Sequence, residues 1–276
     1  MAGHGGRLDQ KPEGAGVSRA IPGPSWPGCV NARDLGGLPA AGGRRIRPGA
    51  LLRSELPPAS AAEAISALRP GLIVDLRLPA ECETLPSPLS AHPAYRNISV
   101  LGPGDPVLER MADTLTGIYR AMLDRGTARI SAVLTAVAAA PPGPVLLHCH
   151  SGKDRTGVVA ALALALAGVP ARHIAADYAE TARCLSLDDH LAALPDEAAR
   201  LRSRRLFAEV TPATMLRTLA YLDARYGGPE SYLTRAGFTG VAALRARLTS
   251  TWSWGITSGG TAADGGAPRR DGTPRG

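Results

Sequence analysis

Residues 144–168, PVLLHCHSGKDRTGVVAALALALAG, constrain the fold more than any other stretch of the chain. A short apolar run ends in a polar loop. The loop then opens into a helix-length segment with no polar face. Such a helix has to be covered on several sides. A short, wholly apolar strand fits the buried interior of a parallel sheet. Pro144–His148 is therefore expected as a buried strand and Thr156–Gly168 as a core helix. GLIVDLR, from Gly71, repeats the strand half of this pattern, and shorter strands are expected near Leu51–Arg53 and within YRNISV, residues 95–100. PPASAAEAISAL reads as a helix with Ser60 as N-cap and Glu63 three residues on. Residues 106–140 read as helical with a break near Arg125-Gly126. Residues 171–248 read as a helical extension punctuated by Pro195, Pro212 and Gly227-Gly228-Pro229. Alternating strands and helices give an α/β fold class: a mostly parallel central sheet with helices on both faces, followed by helical C-terminal segments.

The ends differ from this pattern. Residues 1–28 are rich in Gly and Pro, and 251–276 in Gly, Thr, Ala and Pro, so both read as disordered tails around one domain at 29–250. The longest apolar run, Val158–Val169, is far short of the ~20 residues that span a bilayer, so no stable membrane insertion is expected. The N-terminus lacks the apolar core of a secretory signal, which makes a cytoplasmic location the expectation. Cysteines at 29, 82, 149 and 184 form no CxxC pair and read as free thiols. Cys29, Cys82 and Cys184 read as apolar fillers; a resolving role for Cys184 would require it to lie near Cys149. A formal charge of +7 suits anionic ligands, while 4% aromatic residues with no interleaved basic stripe argue against a nucleic-acid surface. ARLRSRRLF, residues 199–207, reads as a solvated basic face. Oligomeric state is not legible.

The polar loop after His148 sits at the carboxyl end of a buried strand, where ligands of open α/β sheets bind. A helix start offers free N–H groups and partial positive charge. Successive N–H groups curling before it make an anion nest. Into this nest the sequence puts Cys149, five residues, then Arg155. Positive surroundings favour the thiolate. A phosphate monoester would have its oxygens held by loop N–H groups and by the Arg155 fork. The sulfur could then attack phosphorus, leaving a covalent thiophosphate for water to hydrolyse. Such transfer needs positioning, charge stabilisation and a proton for the leaving group. Gly152 allows a tight turn past the ligand. No metal or other cofactor is called for. His148 and His150 flank Cys149, but no second ligand pair appears nearby in the sequence, which disfavours metal ligation. Of 31 basic residues only Lys11 and Lys153 are lysines, and Lys153 alone falls in the expected domain.

Cys149-x5-Arg155 resembles the signature of the cysteine-dependent protein tyrosine phosphatase superfamily. The fuller HCxxGKDRTG resembles the atypical bacterial tyrosine and lipid phosphatases of the mycobacterial protein tyrosine phosphatase B type. NARDLGG, RPGALLRSEL, IVDLRLPAE and YGGPESYLTRAG resemble segments of that family in the same order, over roughly residues 28–248. The resemblance implies a phosphatase domain at 29–250 that hydrolyses phosphotyrosine, with phosphoserine, phosphothreonine or phosphoinositides as further substrates. Its partners would be phosphorylated proteins or phosphoinositides. It implies Cys149 as nucleophile and Arg155 as phosphate binder, with His150, Ser151, Gly152, Lys153, Asp154 and Thr156 completing the phosphate loop. Thr156 would hydrogen-bond the sulfur, and His148 would orient the loop from below. His150 and Ser151 occupy variable positions of the motif.

The general acid has three candidates. Asp105, in the LGPGDP loop after YRNISV, is favoured by position; Asp154 is its rival and Asp75 the third. An Asp between Gly and Pro is also an ordinary turn residue. Asp75 and Arg77 read rather as a buried structural ion pair with Arg33 or Arg53, and Glu81 as helix-start charge. His92, His173 and His190 read as surface or core residues. Two rival functions are sulfur transfer on a rhodanese-type loop and non-catalytic phosphate binding. Thr-Gly after Arg155 favours phosphate over sulfur, and the presence of both Cys149 and Arg155 favours catalysis over binding.

Overall fold

The computed structural model describes residues 26–105, 112–192 and 194–251. The outer parts of both expected tails, up to 25 and from 252, lie outside the described residues. Among the described residues the strands are β1 (Arg33–Asp34), β2 (Pro39–Ala40), β3 (Arg44–Ile46), β4 (Leu52–Ser54), β5 (Leu72–Asp75), β6 (Tyr95–Asn97), β7 (Val145–His148) and β8 (Thr249–Thr251). The central sheet has the order β1-β4-β7-β5-β6. All its pairings are parallel except β1 with β4. Asp75 and Ser54 both stand opposite His148, so three strands end together where the polar loop begins.

The expected strands are present: the one near Leu51–Arg53 lies at Leu52–Ser54, and those in GLIVDLR, YRNISV and PVLLH are shorter than the segments that announced them. Side chains alternate across the sheet as strand geometry requires. Leu72, Val74, Val145 and Leu147 face one core cluster, while Leu52, Ile73 and Leu146 face a second, smaller one. The smaller face is covered by Ile65 of helix α1 (Ala62–Ala67), by Leu89 and by Trp26. Trp26 falls within the expected N-terminal tail but is only 4% exposed, so the folded part reaches it. Ser60 is not an N-cap. It lies in a 3-10 turn, Ala59–Ala61, and its hydroxyl bonds the Pro27 carbonyl at 2.9 Å.

The larger face is covered by helices. After the short helix α2 (Pro79–Thr84), α3 runs unbroken over Leu115–Ala139. The break expected at Arg125-Gly126 does not occur. Gly126 lies on the buried stripe of α3, and a Cβ there would come within 2.9 Å of the Val100 carbonyl. Its role is close approach between helix and chain, not termination. Helix α4 (Asp154–Leu166) is buried almost all round, as its apolar sequence demands. The remaining helices are α5 (Ala171–Cys184), α6 (Leu187–Ala192), α7 (Glu197–Ala208), α8 (Pro212–Tyr226), α9 (Pro229–Thr234) and α10 (Val241–Leu248). Three of their breaks fall at the expected Pro195, Pro212 and Gly227-Gly228-Pro229, while those at Leu185-Ser186 and at residues 235–240 were not foreseen. Pro212 and Pro229 stand at helix starts, and Gly227 ends α8 in the left-handed region. A second, antiparallel sheet, β2-β3-β8, was not foreseen; its strands are too short to carry an alternating pattern. Among the described residues no helix is long and apolar enough to cross a membrane.

Candidate active site

Buried strand β7 delivers Cys149 to the floor of the loop, 2% exposed and continuous with the larger core. The loop then turns over it before α4 begins at Asp154. Gly152 makes the turn with φ +68°. A Cβ at Gly152 would lie 2.5 Å from the Ser54 carbonyl, so only glycine fits against β4.

Three successive loop carbonyls are held from outside. The Leu56 N–H donates to His150 O at 2.9 Å, Asn31 Nδ2 to Ser151 O at 2.9 Å, and Arg53 Nη2 to Gly152 O at 2.6 Å. A trans peptide carries its N–H opposite its carbonyl. With those oxygens turned out, the N–H groups of Ser151, Gly152 and Lys153 turn inward, as an anion nest requires. The pinning residues are themselves anchored. Arg53 Nη1 donates to Asp177 Oδ2 at 2.7 Å, and Arg33 Nε to Asp177 Oδ1 at 2.6 Å. Arg33 also bonds Asn31 through its side-chain oxygen at 2.6 Å. Burial alone would raise the Asp177 carboxyl, but Arg33 and then Arg53 outweigh it and hold it below its ordinary range. Arg33 and Arg53 thus serve Asp177 and not the Asp75–Arg77 pair.

Arg155 presents its guanidinium to Glu81 in a two-pronged pair, Nη1–Oε2 at 2.5 Å and Nη2–Oε1 at 2.9 Å. Glu81 also accepts the Leu78 N–H at the start of α2, so it caps that helix and clamps the loop arginine at once. Burial works against its charge, yet the Arg155 bond keeps its carboxyl below the usual range. Sequence reading found only the helix-start role.

The acid candidates separate cleanly. Asp75 is fully buried, bound by Arg77 Nε and Nη2 and by the Tyr95 hydroxyl at 2.9 Å. Burial opposes its charge, but the Arg77 bond leaves it below its ordinary range. Asp105 accepts from the Gly102 N–H at 2.5 Å and from Arg125 Nε of α3 at 2.8 Å. Burial is again outweighed, by the Gly102 bond and then Arg125, so Asp105 is held in its charged form. Asp154 belongs to the loop itself. Its Oδ1 accepts the Tyr119 hydroxyl at 2.7 Å, and its Oδ2 lies 3.6 Å from Lys153 Nζ, with the side chain 30% exposed.

The other loop residues are placed as follows. Lys153 Nζ lies 5.7 Å from the Phe207 ring centre on α7. His150 is exposed and lines a groove of about 490 Å³ with Arg77, Ala80, Glu81, Thr84 and Leu85. His148 is buried, its Nε2 3.9 Å from Asp75 Oδ2, and burial lowers its pKa against the pull of Asp75. His148 is the last residue of β7 and is buried, while His150, beyond the strand end, is exposed. Thr156 Oγ1 is buried and makes no hydrogen bond, so the expected bond to the Cys149 sulfur is not formed here. Sequence reading missed Glu81's clamp, Asn31, Asp177, Tyr119 and Tyr178. They lie in separate segments, and no local spacing ties them to the loop.

A family model described as the tyrosine phosphatase family matches residues 24–250. A tyrosine-protein phosphatase of Nostoc commune is 32% identical over 202 residues, covering 67% of this chain and 68% of that protein. A putative tyrosine-protein phosphatase of Cupriavidus necator is 33% identical over 233 residues, covering 78% and 84%. The triple specificity protein phosphatase PtpB of Mycobacterium tuberculosis is 34% identical over 125 residues, covering 44% and 42%.

Proposed function

The chain belongs to the tyrosine phosphatase family and is a phosphatase, and from that premise we propose that it hydrolyses phosphotyrosine through a thiophosphate on Cys149. Membership removes the sulfur-transfer alternative. The observation that carries the reading is the outward pinning of the carbonyls of residues 150–152, which leaves inward N–H groups above a buried sulfur.

In the first step the Cys149 thiolate attacks phosphorus and the bond to the leaving oxygen breaks. Inward N–H groups and the Arg155 guanidinium hold the remaining phosphoryl oxygens and their charge. Asp154 gives the leaving oxygen its proton. Asp154 is preferred to Asp105 on geometry. Asp105 is committed to Arg125 and Gly102, whereas Asp154 lies at the end of the loop, partly exposed, its Oδ1 bonded by Tyr119 and its Oδ2 held only by the 3.6 Å ion pair with Lys153. In the second step water attacks phosphorus, the S–P bond breaks, and the Asp154 carboxylate takes the water's proton. Inorganic phosphate leaves and the thiolate is restored.

Lys153 adds a cation beside the site that a monophosphate does not need. This supports phosphoinositides, with several phosphates, as further substrates, together with phosphoserine and phosphothreonine. The name of the mycobacterial relative, a triple specificity phosphatase, agrees with that breadth. Cys149→Ser is expected to abolish turnover of an aryl phosphate while a phosphotyrosine peptide still binds. Turnover at the unsubstituted rate would overturn the nucleophile assignment.

A further inference from the structure

Two tyrosines stand behind the loop with no part in the chemistry above. Tyr119 on α3 is 0% exposed and Tyr178 on α5 is 1% exposed. Their rings meet edge to face, centroids 5.9 Å apart. The Tyr119 hydroxyl is 2.7 Å from Asp154 Oδ1 and 2.6 Å from the Tyr178 hydroxyl. An ionised carboxylate only accepts, so Tyr119 is the donor to Asp154. Its oxygen is then the acceptor for Tyr178, and the chain runs Tyr178 to Tyr119 to Asp154. Burial first, and then the Asp154 charge, raises both phenols above their ordinary range. Neither hydroxyl gives up its proton near neutrality, so the chain donates hydrogen bonds and moves no net charge.

Resting on the reading of Asp154 as the acid, we propose that Tyr119 and Tyr178 are positioning residues that fix Asp154 Oδ1 and so assign the transferable proton to Oδ2. Oδ1 accepts from Tyr119 whether the acid is protonated or not. The proton therefore travels from Oδ2 to the leaving oxygen, and Oδ2 takes one back from water in the second step. Between the steps the carboxylate is held by a donor already in place. Burying two hydroxyls in the main core is costly unless each is bonded. Here both are bonded in one chain, Tyr178 to Tyr119 and Tyr119 to Asp154 Oδ1.

The test uses Tyr119→Phe, Tyr178→Phe and Asp154→Asn in the full chain. Each Tyr→Phe variant removes one hydroxyl and keeps the ring packing. Phenyl phosphate, a poor leaving group, is compared with dinitrophenyl phosphate, which leaves without a proton. Orthovanadate inhibition reports whether the nest is intact. Tyr119→Phe is expected to lower kcat on phenyl phosphate about 10-fold, the scale of one hydrogen bond to a charged group. It should leave dinitrophenyl phosphate turnover and vanadate inhibition nearly unchanged. Tyr178→Phe should show the same pattern more weakly. Added to Asp154→Asn, Tyr119→Phe should cost nothing further. Equal loss on both esters, weakened vanadate inhibition, or full additivity with Asp154→Asn would overturn the proposal. Asp154→Asn turning over phenyl phosphate at the unsubstituted rate would also overturn it, with the nucleophile assignment standing. Turnover by Cys149→Ser would instead sink the reading of the site.

Discussion

Glu81 and Arg155 are one working unit, although 74 residues separate them. A guanidinium held at both Nη atoms loses most of its rotamer freedom before substrate arrives. Glu81→Gln keeps the shape of the clamp but replaces one accepting oxygen with a donor and removes the charge. Arg155 would then reach the phosphate from a broader set of positions. The expected outcome is a KM for an aryl phosphate raised by about 3- to 10-fold, the scale of one charge-assisted bond, with kcat reduced less. Steady-state kinetics checks this. An unchanged KM would mean that the loop alone orients Arg155.

Helix α5 places Asp177 and Tyr178 side by side in sequence and sends them to different partners. Asp177 ties Arg33 and Arg53, and through them the outer edge of the loop; Tyr178 reaches Tyr119 and through it Asp154. Asp177→Asn leaves two buried guanidiniums without a counter-charge and should destabilise the fold by about 3–5 kcal/mol at neutral pH. The pH dependence has a definite sign. A carboxyl held below its unfolded value contributes its full stability above that value, near 4, and loses it as pH falls through the lower folded value. Urea unfolding should therefore show a gap between the two proteins that is flat from about pH 7 to 5 and narrows below about pH 4. A gap that widens in acid would refute the ion-pair role. Much at this scale was legible in the sequence. Apolar runs located β5 and β7, and Pro212, Gly227 and Pro229 located helix ends, because burial and backbone chemistry act locally. Gly126 misled because a glycine at a close contact and a glycine at a break look alike in one dimension. Cys149 to Arg155 was readable because the loop is contiguous. Asp177, Tyr119, Asn31 and the Glu81 clamp were not, since their meaning arises only when α2, α3 and α5 converge on that loop.

At the scale of the molecule, the carboxyl ends of the central strands gather the loop, and α7 reaches over it. Phe207 of α7 meets Lys153 from one side of the helix, while Arg204 and Arg205 are exposed on the others. The chain carries a formal +7, and its substrate is an anion. An excess of exposed arginine on a helix that contacts the loop should raise the local concentration of phosphate esters. Such a field acts over the screening length, about 30 Å in 0.01 M salt and about 8 Å at physiological strength. kcat/KM for an aryl phosphate should therefore fall several-fold across that range of sodium chloride, with kcat nearly constant, because the bound ester is held by contacts too short to screen. Arg204→Glu with Arg205→Glu should lower kcat/KM at low salt and flatten its salt dependence, again with little change in kcat. Neither residue touches the loop in the structure, so a matching loss of kcat would indicate damage to the α7 packing. A salt dependence as steep as that of the unsubstituted protein would mean that the attraction comes from Lys153 and Arg155 within the loop, and that the basic face of α7 is merely solvated.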